Sequence, residues 1–438
     1  MILRTELRRS TAPVLGIGMV VISLGLIYLL SGPWWKNTAP WNEQWTGLAQ
    51  WTRYLTVFLW PLVLGVGAWQ GLRDARSRVT ELFATTPKPT WRRLLPTVGA
   101  VAIALTAAYV VLLIVGGVQV AATANYFHLK WLPVAGAMVL ALIGIALLGF
   151  GIGRLVPSLI TPPVLAIAAL AAQIAVIRQG WTLLLTPAFD APDITAFTTV
   201  AVPVTLAQAL WFIGIGVTGF VLALAVRART RIAALLPVAV AAAVAVPVLS
   251  GMDSPVVADE DAMALVCDDD GPRVCVRHVH ADYLPTLTGP AREALALMAK
   301  LPSPPTSVLE YPDPDVYEPE SMDVAPFFVS RNRLTDPEQI KLDILAGAGT
   351  PMCVYAPGWG GSTDSLTAHI VTAAWFTGEL APVPGTHEVW DVLEDEIRET
   401  WQELLALPPA EQTARVAAYR DAALHCDGRG DMPSLESS

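Results

Sequence analysis

Two histidines in the second half of the chain have the spacing of partial metal ligands. His278 and His280 lie in the run CVRHVHADYL, where alternate residues of a β-strand point to the same face. Two imidazole nitrogens do not complete a zinc site, which takes three or four protein ligands. Acidic residues are common nearby through composition alone, so structural or solvated histidines are favoured. We predict no metal site.

The hydrolase motifs in the chain are incomplete. The run HEVWD at 387–391 begins like the zinc-protease motif HExxH, but Asp391 stands where the second histidine ligand is required. The turn at 358–364 contains Ser362 without the second glycine of a nucleophile elbow. The sequence also contains no GxxxxGK[ST] motif. We therefore predict no enzymatic activity and no cofactor bound by this chain.

The four cysteines all lie in the polar second half, at 267, 275, 353 and 426. An even number confined to one region predicts two disulfides and an oxidising compartment. Cys267 and Cys275 flank an Asp-Gly turn between two short predicted strands, so a bridge between them would close a hairpin. Cys353 would then pair with Cys426. Four cysteines permit three connectivities, and this one is favoured because it joins sequence neighbours.

Charge divides the chain into two unlike parts. Residues 1–250 contain 17 Lys and Arg against 6 Asp and Glu, whereas residues 251–438 contain 11 against 32. The whole chain is 54% hydrophobic and only 15% charged, where a soluble domain averages about 25% charged residues. This pattern predicts a membrane region followed by an acidic soluble domain. The acidic part would repel a phosphate backbone, so a nucleic-acid partner is excluded.

The membrane region is predicted to cross the lipid bilayer seven times. The apolar segments are 14–30, 54–69, 94–118, 132–153, 162–177, 204–226 and 232–249. The predicted fold is an all-α polytopic membrane domain over 1–250, a six-span unit plus a seventh span, followed by a small α+β extracytoplasmic domain over 251–438. Helices in this second domain are predicted at 292–301, 337–346, 364–377, 389–407 and 410–425, with a strand at 307–311.

Basic residues predict the orientation. Lys and Arg cluster at 4–9, 73–93, 154 and 227–231, and the other side of the membrane would carry only Lys36, Arg53, Lys130 and Arg178. Because Lys and Arg are retained in the cytoplasm, the N-terminus is predicted inside. Seven crossings then place residues 251–438 outside the plasma membrane, in agreement with the cysteines.

Individual segments of the membrane region carry further expectations. Trp45 and Trp51 are assigned to a short outer loop with other tryptophans, and Pro61 is expected to kink the second span. The segment 178–203 is broken by Gly and Pro, so it is expected to dip into the outer leaflet or lie on it. The predicted spans contain no Asp, Glu, Lys or His, and their most polar long side chains are Gln119, Gln173 and Gln208. Coupling to a proton or sodium gradient is therefore disfavoured.

The segment Gly71–Pro96 between the second and third spans is charged and contains a short predicted helix. Val79, Leu82 and Phe83 give that helix one apolar face, and prolines end it. The pattern of Glu81 to Pro87, ELFATTP, followed by Trp-Arg-Arg, resembles the cytoplasmic coupling helix of type-2 (ABC-2) exporter permeases. A solvated loop that only orients the protein is the plainer alternative. The candidate docking residues are Arg76, Arg78, Glu81, Leu82, Phe83 and Pro87.

The resemblance implies a function. It implies a permease subunit of an ABC-type exporter, driven by ATP through a separate ATPase that docks on 71–96, and paired in the bilayer with a second copy or a paralogue. The acidic domain resembles outer domains attached to permease-like proteins of actinomycetes. The seventh span, the large outer domain and the lack of a long amphipathic helix before the first span depart from the family. The alternative function is a membrane-anchored receptor or assembly factor whose acidic domain binds an extracellular partner.

Overall fold

A computed structural model describes most of the chain. The described residues are 2–9, 11–30, 44–77, 89–124, 126–187, 195–252, 254–312, 323–329, 336–350, 363–384, 386–425 and 435. They divide into two compact units, Met1–Asp259 and Glu260–Ser438. The sequence places this boundary at 250/251, about ten residues earlier.

The first unit is mostly helical. Its helices are α1 Ile2–Arg9, α2 Ala12–Leu30, α3 Trp45–Val57, α4 Trp60–Gly71, α5 Arg73–Arg76, α6 Thr90–Thr123, α7 Trp131–Leu155, α8 Thr161–Arg178, α9 Val202–Leu224, α10 Ala228–Ala233 and α11 Leu236–Ser250. Two strands, β1 Thr198–Val200 and β2 Val256–Ala258, pair antiparallel. The described residues between α8 and α9 form a 3-10 turn at Thr182–Leu184 and the strand β1.

Several of these helices are long and apolar enough to cross a membrane. Among the described residues there are five such helices when α10 and α11 are counted as one (Ala228–Ser250), or six if the bent pair α3 and α4 is also one span. These six coincide with six of the seven predicted spans. The predicted span at 14–30 coincides with α2, whose apolar stretch Ala12–Tyr28 is shorter. The chain is therefore a membrane-embedded protein.

The predicted second span is a broken helix. It begins nine residues earlier than expected, so Trp45 and Trp51 lie in α3, and α3 meets α4 at an angle of 60°. The expected kink at Pro61 is confirmed, because the proline has no N–H to donate to the carbonyl of Val57. The side chain of Gln173 on α8 supplies the missing donor, with its Nε2 2.9 Å from the Val57 oxygen. The break is thus stabilised by a neighbouring helix.

Small residues let α4, α7 and α9 approach closely. A Cβ at Gly67 or Gly71 would collide with backbone oxygens of α7, and a Cβ at Gly149 or Gly153 would collide with those of α4. Gly144 of α7 meets the backbone of α9 in the same way. Glycines at such positions permit close helix contact within a membrane. Van der Waals contact along these backbones makes α7 the centre of the membrane unit.

The second unit combines a small sheet with helices. The sheet has the order β3 Leu265–Asp268, β4 Arg273–Arg277, β5 Ser307–Glu310 and β6 Val324–Phe327, with β3 and β4 antiparallel and the other pairs parallel. The helices are α12 Glu260–Met263, α13 Leu284–Met298, α14 Pro337–Leu345, α15 Thr363–Thr377, α16 His387–Ala406 and α17 Pro409–Leu424. An apolar core built from Val276, Leu287, Ile344 and Ile397 joins the sheet to the helices.

Candidate functional site

Ion pairs at the start of the charged segment 71–96 connect several helices at one end of the membrane unit. Arg73 of α5 donates two hydrogen bonds to the Glu6 carboxylate of α1, at 2.9 and 3.1 Å. The hydrogen bond to the Glu6 carboxylate raises the pKa of Arg73 above its ordinary value. The neighbouring Asp74 accepts a 2.9 Å hydrogen bond from Arg154 at the end of α7. Arg154 also donates to the Ala223 carbonyl of α9, at 3.2 Å. The segment that begins at α5 is therefore attached directly to α1 and α7, and through Arg154 to α9.

Arg76 is the predicted docking residue that the structure describes. Its guanidinium lies 4.6 Å from the centre of the Trp69 ring, a cation–π contact. The side chain is exposed. Arg78, Glu81, Leu82, Phe83 and Pro87 lie outside the described residues. The geometry of the predicted coupling helix thus stays a prediction.

A buried arginine lies inside the membrane unit. Arg53 of α3 is only 1% exposed, and its Nη2 donates to Gln208 Oε1 of α9 at 2.5 Å. Gln208 in turn donates to the Leu183 carbonyl in the 3-10 turn before α9, also at 2.5 Å. The Nε and Nη1 atoms of Arg53 have no hydrogen-bond partner among the described residues. From the sequence, Arg53 was assigned to the outer loop before the second span, whereas the structure places it inside α3 with its side chain buried.

Other polar side chains accompany Arg53 on α3. Thr52 shares a 3.1 Å hydrogen bond with the Tyr109 hydroxyl of α6. Gln50 is 2% exposed, and neither atom of its amide has a partner within the described residues. An ionisable side chain buried among membrane-spanning helices is a candidate functional group. The bent helix pair thus includes one charged residue type, arginine, that the sequence analysis did not place within a span.

The opposite end of the membrane unit has its own polar contacts. Lys130, between α6 and α7, forms a 2.6 Å ion pair with Asp259, which is 2% exposed. The pairing of β1 with β2 brings the start of α9 and the segment after α11 together. All of these residues were assigned to one side of the membrane from charge. Their mutual contacts agree with that grouping.

The predicted disulfide hairpin is confirmed in the second unit. Cys267 and Cys275 are bonded and lie opposite each other on the antiparallel strands β3 and β4. Cys353 and Cys426 lie outside the described residues, so their pairing stays a prediction.

His278 and His280 do not lie on a strand, contrary to expectation. They occupy a 3-10 turn, His278–Tyr283, that follows β4. His278 is exposed and its ring bonds the Asp261 carbonyl, whereas His280 is buried and pairs with the Glu310 carboxylate. The turn therefore separates the environments of the two rings. Among the described residues, no group of three or more His, Cys, Asp or Glu side chains is placed to hold a metal ion.

A second buried histidine lies beside a tight turn. Gly347, Ala348 and Gly349 have φ of 59°, 58° and 76°, and the turn is fixed by Arg420, whose Nη1 donates to the carbonyl of Gly349 at 2.9 Å. His369 of α15 is 9% exposed, and burial lowers its pKa to about 4. A Cβ at Gly347 would touch the His369 ring, so glycine is needed there for space and for its φ.

No family model, curated protein or solved structure matches this chain. The resemblance to exporter permeases therefore depends on the residues of 71–96 and on the order of the helices. The structural features that bear on function lie at the two ends of the membrane unit and in its interior.

The sequence contains a signal for the buried polar residues of α3. Thr46, Gln50 and Arg53 fall at i, i+4 and i+7, which is one face of a helix. Reading Trp45–Arg53 as a loop concealed this periodicity, because the cluster of tryptophans suggested an interface. Gln208 was recognised as one of the most polar side chains in the spans, but its partner was not.

Proposed function

We propose that this protein is the membrane-spanning permease subunit of an ABC-type exporter, driven by a separate ATPase that docks on residues 71–96. The observation that carries the proposal is the ion-pair network at the start of that segment. Arg73 and Asp74 join it to α1, α7 and α9 through Glu6 and Arg154. A loop that only orients the protein has no need of such attachments.

The network provides a mechanical route from the ATPase to the spans. Movement of the docking segment would pull on Arg154, which is the last charged residue of α7. Because α7 lies in backbone contact with α4 and α9, it would move together with them. ATP binding and hydrolysis in the partner would thus be converted into helix movement without a nucleotide site on this chain.

The same proposal assigns partners and location. The unit would work as a dimer with a second copy or a paralogue in the plasma membrane, with the N-terminus in the cytoplasm. The acidic unit would lie outside, where the Cys267–Cys275 disulfide is stable. Apolar span surfaces favour a lipid-like molecule or a hydrophobic peptide as the substrate, and Arg53 would add one positive charge to the interior.

The test is co-purification from the native membrane in mild detergent. An ATPase should be recovered with the wild-type chain, and its yield should fall at least tenfold in the double variant Arg76→Glu, Arg78→Glu and in Phe83→Asp. Arg229→Glu is the matched control, because Arg229 is an exposed arginine on the other predicted cytoplasmic loop.

Two results would count against the exporter. Recovery of no nucleotide-binding protein with the wild-type chain would contradict it, and so would an equal loss of the ATPase in Arg229→Glu. Recovery of an extracellular cationic protein in place of an ATPase would support the alternative of a receptor or assembly factor, whose acidic unit has 32 acidic against 11 basic residues over 251–438.

A further inference from the structure

We propose that the membrane unit binds an anionic phospholipid in a groove between α2 and α4. The groove has a cavity volume of about 410 Å³. Apolar side chains line it, among them Val14, Leu15, Ile22, Leu62 and Val63. The proposal does not depend on the ATPase or on transport.

The length and lining of the groove suit an acyl chain. It extends along α2 from Thr11 to Ile22, a length of about 16 Å at the helical rise per residue. An acyl chain that lies along α2 would cover these apolar side chains, and the phosphate of the same lipid would then lie at the end marked by Thr11.

The groove opens to the surroundings of the membrane unit. Val14 is 72% exposed and Leu62 is 50% exposed, although both are apolar. In a bilayer such a surface is covered by lipid or by another helix. Gly18 lies at the floor, and a Cβ built there would have no atom within 4 Å. The missing side chain is what keeps the groove deep at this point.

One end of the groove carries a positive charge. Trp69 lines the groove, and the guanidinium of Arg76 lies 4.6 Å from its ring centre. A cation–π contact uses no hydrogen-bond acceptor, so N–H groups of the guanidinium can donate to a phosphate. Thr11 marks the same end, where its hydroxyl accepts a hydrogen bond from Gln70. An apolar channel that ends at a cation matches the acyl chain and phosphate of one lipid.

Charge complementarity selects the class of lipid. Arg76 forms no ion pair among the described residues, since its neighbour Arg73 takes Glu6 and Asp74 takes Arg154. A net anionic headgroup such as phosphatidylglycerol would offset this charge, whereas the choline of phosphatidylcholine would be repelled by it. The site should therefore prefer phosphatidylglycerol.

The test uses the full chain in detergent, titrated with phosphatidylglycerol or phosphatidylcholine and followed by native mass spectrometry. The wild type should retain one phosphatidylglycerol about fivefold more tightly than phosphatidylcholine. Gly18→Leu should weaken retention of both lipids at least tenfold, because the new side chain fills the groove. Gly25→Leu is the matched control on the same helix, since Gly25 has equal space and does not line the groove.

Arg76→Gln distinguishes the contribution of the lipid headgroup to binding from that of the acyl chain. This variant should keep lipid binding but lose the preference for phosphatidylglycerol. A photoreactive acyl chain on phosphatidylglycerol should label the wild-type protein on the groove-lining parts of α2 and α4, a readout that needs no variant.

Three outcomes would overturn the proposal. These are equal retention of the two lipids by the wild type, unchanged binding in Gly18→Leu, and labelling confined to other helices. If Gly18→Leu dissociates a dimer while no lipid is bound, the groove holds a helix of a second copy and the lipid site is refuted. Because no ATPase is present in these measurements, their failure would leave the exporter proposal untouched.

Discussion

The charge state and packing of Arg53 make separate contributions to the stability of the membrane unit. A buried guanidinium loses its hydration, and here it regains one hydrogen bond, to the neutral side chain of Gln208. Its aliphatic stem is buried together with the guanidinium and contributes apolar packing. A side chain of similar length without charge should therefore serve the fold as well as arginine does.

We predict that Arg53→Met leaves the free energy of unfolding unchanged or raises it by about 1 kcal/mol. Arg53→Ala should lower it by about 2 kcal/mol or more, because the shorter side chain leaves a cavity. Thermal unfolding of the purified protein in detergent measures both. A loss in Arg53→Met as large as that in Arg53→Ala would mean that the charge itself stabilises the fold.

The burial of His369 predicts that the stability of the second unit depends on pH. Its pKa falls from 6.5 to about 4 on folding because burial disfavours the charged ring. The unfolded chain therefore binds more protons between these values, so this histidine's contribution is complete above pH 6.5 and is lost as the pH falls towards 4. Asp343, which is partly exposed, has its pKa raised to about 7 by burial, and its effect has the opposite sign.

A comparison with His369→Asn isolates the histidine, because Asp343 is common to both proteins. The stability difference between wild type and variant should become more favourable to the wild type by up to about 1.4 kcal/mol per pH unit as the pH rises from 4 to 6.5. Hydrogen exchange of peptides from α14 and α15 in the full chain reports this difference. A difference that does not change with pH would show that His369 is hydrated in the folded protein.

Helix packing depends on the absence of side chains at particular glycines. A methyl group at Gly149 would overlap the Leu64 carbonyl of α4, so the two backbones would have to separate. We predict that Gly149→Ala lowers the free energy of unfolding by about 1–3 kcal/mol.

Gly136→Ala provides the control on the same helix, since no atom lies within 4 Å of a Cβ built at Gly136. It should be neutral or slightly stabilising, because alanine has the higher helix propensity. Unfolding by a denaturing detergent compares the two variants. Equal destabilisation would locate the effect in the helix itself and not in its contact with α4.

At the scale of elements, long apolar periodicity was the most reliable guide. The predicted span at 132–153 is observed as α7, and the predicted helix at 410–425 is observed as α17. Such signals are local, so they survive without knowledge of the neighbours. The start of the second span was missed because Trp45–Arg53 is polar enough to be read as a loop, and only its burial against other helices makes it helical.

Contacts between residues distant in the sequence could not be predicted from it. The Pro61 break could be predicted from one residue, but the role of Gln173 in filling the gap depends on the position of α8. In the same way, the spacing of His278 and His280 indicated a shared face, whereas the chain turns directly after β4. Tertiary placement decides both cases.

At the scale of the whole molecule, two independent observations divide the membrane unit into the same two ends. Charge assigns Arg73 and Arg154 to one side, and the structure joins them through Glu6 and Asp74. Charge assigns Lys130 to the other side, and the structure pairs it with Asp259, directly before the second unit. Contacts alone do not say which end faces the cytoplasm, and the excess of arginine predicts that it is the end with Arg73 and Arg154.

We therefore predict that a protease added to intact cells removes the acidic unit, together with a tag at Ser438, and leaves a tag at Met1 protected. Residues 260–438 should be digested, because an odd number of crossings from a cytoplasmic N-terminus places them outside. Reducing agent should accelerate the cleavage by opening the Cys267–Cys275 hairpin. Protection of the Ser438 tag until the cells are lysed would show that the orientation in the membrane is the reverse of the predicted one. Residues 71–96 would then face outward, where no ATPase can reach them, and the exporter proposal would fall with the topology.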